Sequence, residues 1–202
     1  FILAVKPKDA IGAYTEICAF IKKPKIIALV AGIKSKKYLA KFSNVELMRV
    51  MPNTSSRFNK GITAIHNISA SKTTVKKVAK LFNAVGIILE ISNESYLDDF
   101  TGLIGSGPAY FFYLLQVYEK RIMKICNGDI EKKNLIMCNL LDGVSKSIGS
   151  GETINSLIDA VASKKGTTEA GINSFKGDQL SKSFDRGIAA AIKRSKEISS
   201  EF

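Results

Sequence analysis

The chain is poor in the residues that most metal-dependent and acid–base chemistry relies on. It has one histidine, His66, in 202 residues, set in the alternating run Ile62-Thr63-Ala64-Ile65-His66-Asn67-Ile68. That alternation is the pattern of a strand, so a strand residue is expected there rather than a ligand or a general base. Three cysteines, Cys18, Cys126 and Cys138, are odd in number, widely spaced and set among apolar neighbours. This suits buried thiols in a reducing compartment, and no disulfide framework or metal site is expected. The longest apolar run, Ile26 to Ile33, is far shorter than a bilayer span, and no charged-then-apolar signal segment opens the chain. A soluble, cytoplasmic protein with no membrane partner is therefore expected.

Acidic residues are also scarce: 18 against 30 lysines and arginines, for a net charge of +12. Such a balance fits nucleic acid, an acidic surface or small anionic ligands. The lysines are scattered, however, and arginine occurs only at positions 49, 57, 121, 186 and 194, with no aromatic-interleaved stripe. A reader of base edges would favour arginine, so nucleic acid is not the expected partner. A hydrophobic fraction of 46% is enough to build a core for one large or two small domains.

Prolines are few and unevenly placed, at 7, 24, 52 and 108. Up to about residue 91, short β-rich runs alternate with amphipathic segments. Strands are expected at residues 1–5, 26–30, 45–51, 62–68 and 87–91, with helices at 9–21, 36–42 and 71–83. Near-continuous apolar strands joined by helices predict a parallel sheet covered on both faces. Beyond Pro108 nothing interrupts a helix. Helices are expected at 109–125 after Pro108, at 130–148 capped by Asp129, from Thr153 to Ala162, and from Asp178 to about Ser199. The boundary falls near residues 92–95, giving an α/β part followed by an all-α part. The 109–125 helix is apolar nearly all round, and packing across a symmetric dimer contact is the expected way to bury it.

Two polar segments bracket the helical part: Gly105-Ser106-Gly107-Pro108-Ala109-Tyr110, and Ser163-Lys164-Lys165-Gly166-Thr167-Thr168. Both combine glycine with hydroxyls and read as flexible loops leading into helices. Either they are helix caps, or amides near Thr167 and Thr168 hold a small anion such as a carboxylate.

These segments, with Ala4-Val5-Lys6-Pro7 and Arg49-Val50-Met51-Pro52-Asn53-Thr54, occur in an order and spacing that resembles the Δ1-pyrroline-5-carboxylate reductases. The resemblance covers essentially the whole chain. It implies a partial Rossmann-type dinucleotide-binding domain over residues 1–93 and a helical dimerisation and substrate-binding domain over 94–202. It also implies NADPH- or NADH-dependent reduction of 1-pyrroline-5-carboxylate to L-proline, the last step of proline biosynthesis, by a homodimer or higher homo-oligomer. By the same resemblance Thr168 is the catalytic hydroxyl at the imine nitrogen. Ser163, Gly166, Thr167 and Thr168 hold the substrate carboxylate, and Glu94 lies near the substrate. Ala4, Val5, Lys6 and Pro7, with Leu29, Val30 and Ala31, border the nicotinamide and its ribose, and Asn53 completes the pocket wall.

Two departures stand out. Lys164-Lys165 replaces the Pro-Gly or Lys-Gly usual after the loop serine. No Gly-x-Gly-x-x-Gly is present either, since Gly105-Ser106-Gly107 lacks the final glycine and follows no strand. In the family that phosphate-binding turn, its helix and the next strand precede the Ala-Val-Lys-Pro strand, so the sheet is expected to present an open edge. The alternative function is a catalytically impaired remnant that only oligomerises or binds proline.

Overall fold

A computed structural model describes residues 1–201 of the chain. Five strands form one sheet in the order β1-β2-β3-β4-β5: β1 Ile2–Leu3, β2 Lys25–Ala28, β3 Glu46–Pro52, β4 Gly61–Asn67 and β5 Gly86–Glu90. Parallel pairing joins β1 to β2, β2 to β3 and β4 to β5, with Leu3 beside Ala28 and Ala28 beside Arg49. The β3–β4 pair is antiparallel, Val50 lying opposite Ile65. The sheet is thus mainly parallel, as expected, with this one antiparallel pair as the departure. Only a 3-10 turn, Thr54–Phe58, and left-handed Asn59 (φ 57°) intervene between these strands, with their immediate neighbours. A parallel return would need a crossover of about a dozen residues.

Alternation along β3 divides the core between the two faces of the sheet. Leu47 joins Leu3, Ile26 and Ala28 under α1 (Pro7–Phe20) and α2 (Ser35–Leu39), while Met48 and Val50 pack with Val78 and Phe82 of α3 (Lys72–Asn83). The helices fit these faces because their apolar residues recur every fourth position: Ala10, Tyr14 and Cys18 in α1, Val78 and Phe82 in α3. Pro7 sits in the first turn of α1, where its missing N–H costs nothing. Ser71 caps α3 by accepting from the Thr74 amide at 3.3 Å.

Glu46, at the start of β3, fastens that cap to the sheet. Its Oε2 accepts from the Ser71 amide at 3.0 Å and from the Ser71 hydroxyl at 2.7 Å, and Lys25 approaches its Oε1 at 3.4 Å. Hydrogen bonds from Thr74 and Ser71 hold the carboxyl down at about 2. A carboxyl with a depressed folded pKa adds stability above its unfolded value, and that stability is lost as pH falls through the folded one. Glu46→Gln should therefore melt below the wild type at neutral pH, with the gap narrowing from about pH 4.5 toward pH 2. Melting temperatures followed against pH check this, and a gap independent of pH would refute it.

After β5 the short helix α4 (Tyr96–Phe100) packs Leu97 and Phe100 against Ala64. A π-type turn, Thr101–Gly105, follows it directly, and α5 (Gly107–Ile125) starts two residues later. The segment 105–110 is thus helical on both sides of Ser106, not the flexible loop its glycines suggested. Beyond it come α6 (Ile130–Ile148), α7 (Ile154–Val161), α8 (Thr167–Gly177) and α9 (Leu180–Glu201). Asp129 and Thr153 cap α6 and α7 as expected, accepting from Lys132 N at 2.9 Å and Ser156 N at 3.1 Å. Asp178 instead closes α8, and Gln179 turns through the left-handed region (φ 52°) before α9.

The chain packs as two compact units, residues 1–108 with 187 onward, and residues 109–186. These are cut differently from the 1–93 and 94–202 read from sequence, because the last fifteen or so residues of α9 pack with the sheet. There Asp98 accepts from Ser195 Oγ at 3.2 Å and Ser199 Oγ at 2.6 Å, and Lys196 pairs with Asp99 at 2.7 Å. In the helical unit Tyr110 stands edge-on to Phe184, their centroids 6.3 Å apart, and Lys133 bonds Glu119 at 2.6 Å. Cys18 and Cys126 are buried as expected, whereas Cys138 is exposed on α6. Among the described residues no helix is long and apolar enough to cross a membrane, and no cluster of potential metal ligands occurs.

Candidate functional site

The carboxyl ends of β1, β2 and β3 lie side by side, and an open α/β sheet binds its ligands outside such ends. Beyond β1, Ala4, Val5 and Lys6 are exposed, and Pro7 begins α1. Beyond β2, Leu29 and Ala31 are half-buried and Val30 is buried. The two strand ends are tied by Leu29 N donating to Leu3 O at 2.9 Å. Small side chains at Ala4 and Ala31 leave the backbone open to a flat ring, Val5 adds an apolar wall, and Lys6 places a cation beside it. This donor set fits a nicotinamide and ribose. Asn53 follows β3 and is buried; its amide donates to Ile62 O at 3.2 Å, and its Oδ1 accepts from Ile62 N at 3.0 Å. That side chain closes the β3–β4 pair.

Glu94 is the best-anchored of the expected residues. Its Oε1 accepts from the Ser35 amide at 2.6 Å and from Arg49 Nη1 at 2.9 Å, and its Oε2 accepts from the Ser35 hydroxyl at 2.7 Å. The Arg49 side chain is only 4% exposed, and its Nη2 reaches back to Val30 O at 3.4 Å. Burial works to raise the Glu94 pKa, but the Ser35 donors and the Arg49 charge outweigh it and hold the carboxyl below its usual range. Tyr38, wholly buried beside this pair, has its phenol pushed up to about 12, chiefly by burial. Arg49 and Ser35 were not expected here. An arginine inside the apolar strand Leu47-Met48-Arg49-Val50-Met51 is itself a signal, because a buried guanidinium needs a buried acceptor.

Ser163, Gly166, Thr167 and Thr168 belong to the helical unit. The turn is tight: Lys165 is left-handed (φ 59°), and Gly166 N donates to Ser163 O at 2.9 Å. A Cβ on Gly166 would stand 2.5 Å from Ser163 Oγ and 2.9 Å from Ser163 O, so only glycine fits. Glu169 reaches back to accept from the Lys165 amide at 2.7 Å. Gly166 has no side chain with which to cap α8, and its own N–H is used within the turn. The first hydrogen bond of α8 runs from Ala170 N to Gly166 O at 3.2 Å, so the amides of Thr167, Thr168 and Glu169 precede it, with the Thr168 side chain half-buried beside them.

Known proteins are similar to this chain in sequence and fold. Residues 94–198 match the family described as pyrroline-5-carboxylate reductase dimerisation. Pyrroline-5-carboxylate reductase 1 of Bacillus subtilis is 34% identical over 203 residues, covering 99% of this chain and 68% of the relative. The Pseudomonas aeruginosa pyrroline-5-carboxylate reductase is 30% identical over 204 residues, covering 99% and 74%. Among solved structures, the Plasmodium falciparum pyrroline carboxylate reductase with NADP bound superposes with a TM-score of 0.85 at 26% identity, over 98% of this chain and 76% of that one. The Coxiella burnetii pyrroline-5-carboxylate reductase has the same fold, with a TM-score of 0.85 at 24% identity over 98% and 74%. Identity sustained along almost the whole chain, joined to the dimerisation match over its second half, makes this chain a member of the pyrroline-5-carboxylate reductase family.

Proposed function

We propose that the chain takes part in the NAD(P)H-dependent reduction of 1-pyrroline-5-carboxylate to L-proline, as a homo-oligomer that works on a small-molecule substrate. The observation that carries this reading is the turn at Ser163–Gly166, which sets the Thr167 and Thr168 amides and the Thr168 hydroxyl at the start of α8. A bound NADPH or NADH would supply the hydride that adds to the imine carbon.

The chain's own residues do the rest. Ala4, Val5, Lys6 and Pro7, with Leu29, Val30 and Ala31, form the shelf for the nicotinamide and ribose. Asn53 keeps the third strand end closed beside it. Ser163 and Gly166 shape the turn, and the amides of Thr167 and Thr168 take the substrate carboxylate. A threonine hydroxyl is too weak an acid to be a sole proton source, so Thr168 orients the nitrogen of an already protonated imine. The three free thiols suit a reducing, cytoplasmic setting.

Thr168→Ala tests the reading. It should lower kcat/KM for pyrroline-5-carboxylate by about tenfold to a hundredfold, the worth of one hydrogen bond to a charged group, with the melting temperature unchanged. Cofactor oxidation in the presence of substrate measures it. Kinetics equal to the wild type would sink the assignment.

A further inference from the structure

The turn that follows β2 on the cofactor shelf is held from outside itself. Its last backbone tie is Leu29 N donating to Leu3 O at 2.9 Å, and the next comes only at α2, where Lys37 N donates to Lys34 O at 3.0 Å. Among the described residues no backbone–backbone hydrogen bond involves Val30, Ala31, Gly32 or Ile33. Val30 and Ile33 anchor the two ends in the core, and Arg49 Nη2 reaches Val30 O at 3.4 Å. Between them Ala31 and Gly32 offer almost no side chain, and Gly32 passes through the left-handed region (φ 78°). A turn with no backbone hydrogen bonds of its own keeps one position only if something packs on it.

What packs on it is the end of α9. A Cβ on Gly32 would stand 2.7 Å from Ile198 Cγ2 and 3.4 Å from the Ile198 carbonyl carbon, so the helix lies directly on the glycine backbone. Ile192, Ser195, Ile198 and Ser199 recur at helical spacing and share one face of α9. The two serines give their hydroxyls to the buried Asp98 carboxylate, at 3.2 Å and 2.6 Å. Two directional bonds to one carboxylate fix the rotation and the axial setting of the helix, and with them how far Ile198 reaches toward Gly32. Among the described residues, the three hydrophobic clusters of the sheet unit contain none from α9. The core therefore closes without Ile198, and the turn is what this side chain acts on.

We propose that Ile198 is a positioning residue for the nicotinamide cofactor: set in register by Asp98, Ser195 and Ser199, it fixes the Ala31–Gly32 turn that borders the nicotinamide. The inference rests on the cofactor shelf of the preceding section, and every residue it invokes belongs to the sheet unit. A ligand that meets a turn already fixed does not have to order it. Fixing the backbone of one residue is worth about tenfold in an equilibrium constant, and shortening Ile198 transfers that cost to binding.

The test uses the full chain with Ile198→Ala and the conservative Ile198→Val. Backbone order parameters from NMR report the turn with no ligand present, and fluorescence titration gives Kd for NADPH and for NADH. Ala31 and Gly32 should have order parameters of about 0.85 in the unsubstituted chain and below about 0.6 in Ile198→Ala, while the β3 and β4 amides keep theirs. Kd should rise about tenfold in Ile198→Ala and stay within about twofold in Ile198→Val. A turn equally rigid in both chains overturns the proposal, and so does a loosened turn with an unchanged Kd, since the contact would then be structural only. Loss of folding, or loosening that spreads through β3 and β4, overturns it as well, because Ile198 would then support the whole unit. An unsubstituted chain that binds neither NADPH nor NADH brings down the cofactor shelf together with this proposal, and that failure is told apart because it is seen before any substitution is made.

Discussion

Gly102→Val is expected to destabilise the sheet unit by about 3 kcal/mol or more, the upper range for forcing bulk into a packed contact. Gly102 lies in the π-type turn after α4, and a Cβ there would stand 2.6 Å from Ile192 N and 2.7 Å from Ile192 Cα and Cγ1. Two of those atoms are backbone of α9, so no rotamer change relieves the clash and the helix itself must move. Moving it opens other contacts. Asp98 would lose the hydroxyls of Ser195 and Ser199, leaving a buried carboxylate without these two donors, and the Lys196–Asp99 pair would part. The packing of Ile198 against Gly32, where an added Cβ would meet Ile198 Cγ2 at 2.7 Å, would open as well. Urea unfolding measures the loss. Gly187→Ala, on the same helix with nothing within 4 Å of an added Cβ, is the control and should leave stability unchanged or raise it by up to about 1 kcal/mol. A Gly102→Val chain with the wild-type urea midpoint would show that α9 does not press on this turn.

The second large effect concerns assembly. In α5, Ile122 is buried, while Phe111, Phe112, Tyr113, Val117 and Tyr118 are all more than half exposed. On α6, Leu135 is 64% exposed. Apolar surface on this scale is foreign to a lone soluble chain and normal for the core of an obligate interface. Phe112→Asp with Leu135→Asp should therefore turn a dimer into a monomer while the far-ultraviolet spectrum stays helical, because both side chains already face solvent within the protomer. At about 2 kcal/mol per anchor and four anchors by two-fold symmetry, the additive limit is about 8 kcal/mol, roughly a millionfold in Kd. Sedimentation at micromolar concentration reads the result. A dimer that survives both charges would place the interface on other residues.

What was legible from sequence follows from the range of the forces involved. The helices of the second half were readable because Asp129 and Thr153 cap locally and prolines are absent. The β3 and β4 runs were readable as strands, but not their opposite directions, since a strand buried on both faces carries no mark of its partner's direction. The helical character of 101–107 was hidden because Gly102, Gly105 and Gly107 look like loop punctuation. Gly102 is required instead by a helix ninety residues later, which no local pattern reveals. Cys138 was read as buried from its apolar neighbours, and apolar sequence cannot distinguish a protomer core from an assembly face. At the candidate site, Glu94 was reached through family resemblance. The Arg49 that anchors it, 45 positions away, was signalled only by a charge inside an apolar strand.

The return of α9 to the sheet also governs when the fold can close during synthesis. Asp98 finds its hydroxyl partners 97 and 101 positions further along the chain. At about 5–20 residues per second, a translating ribosome leaves that carboxylate waiting for roughly 5–20 s after it is made. Through that interval the sheet is present but unlatched, with Gly32 and Gly102 open where Ile198 and Ile192 will later sit. The nascent chain must make the whole 109–186 unit before its first unit can be sealed, so the two units mature in an order opposite to the one in which they begin.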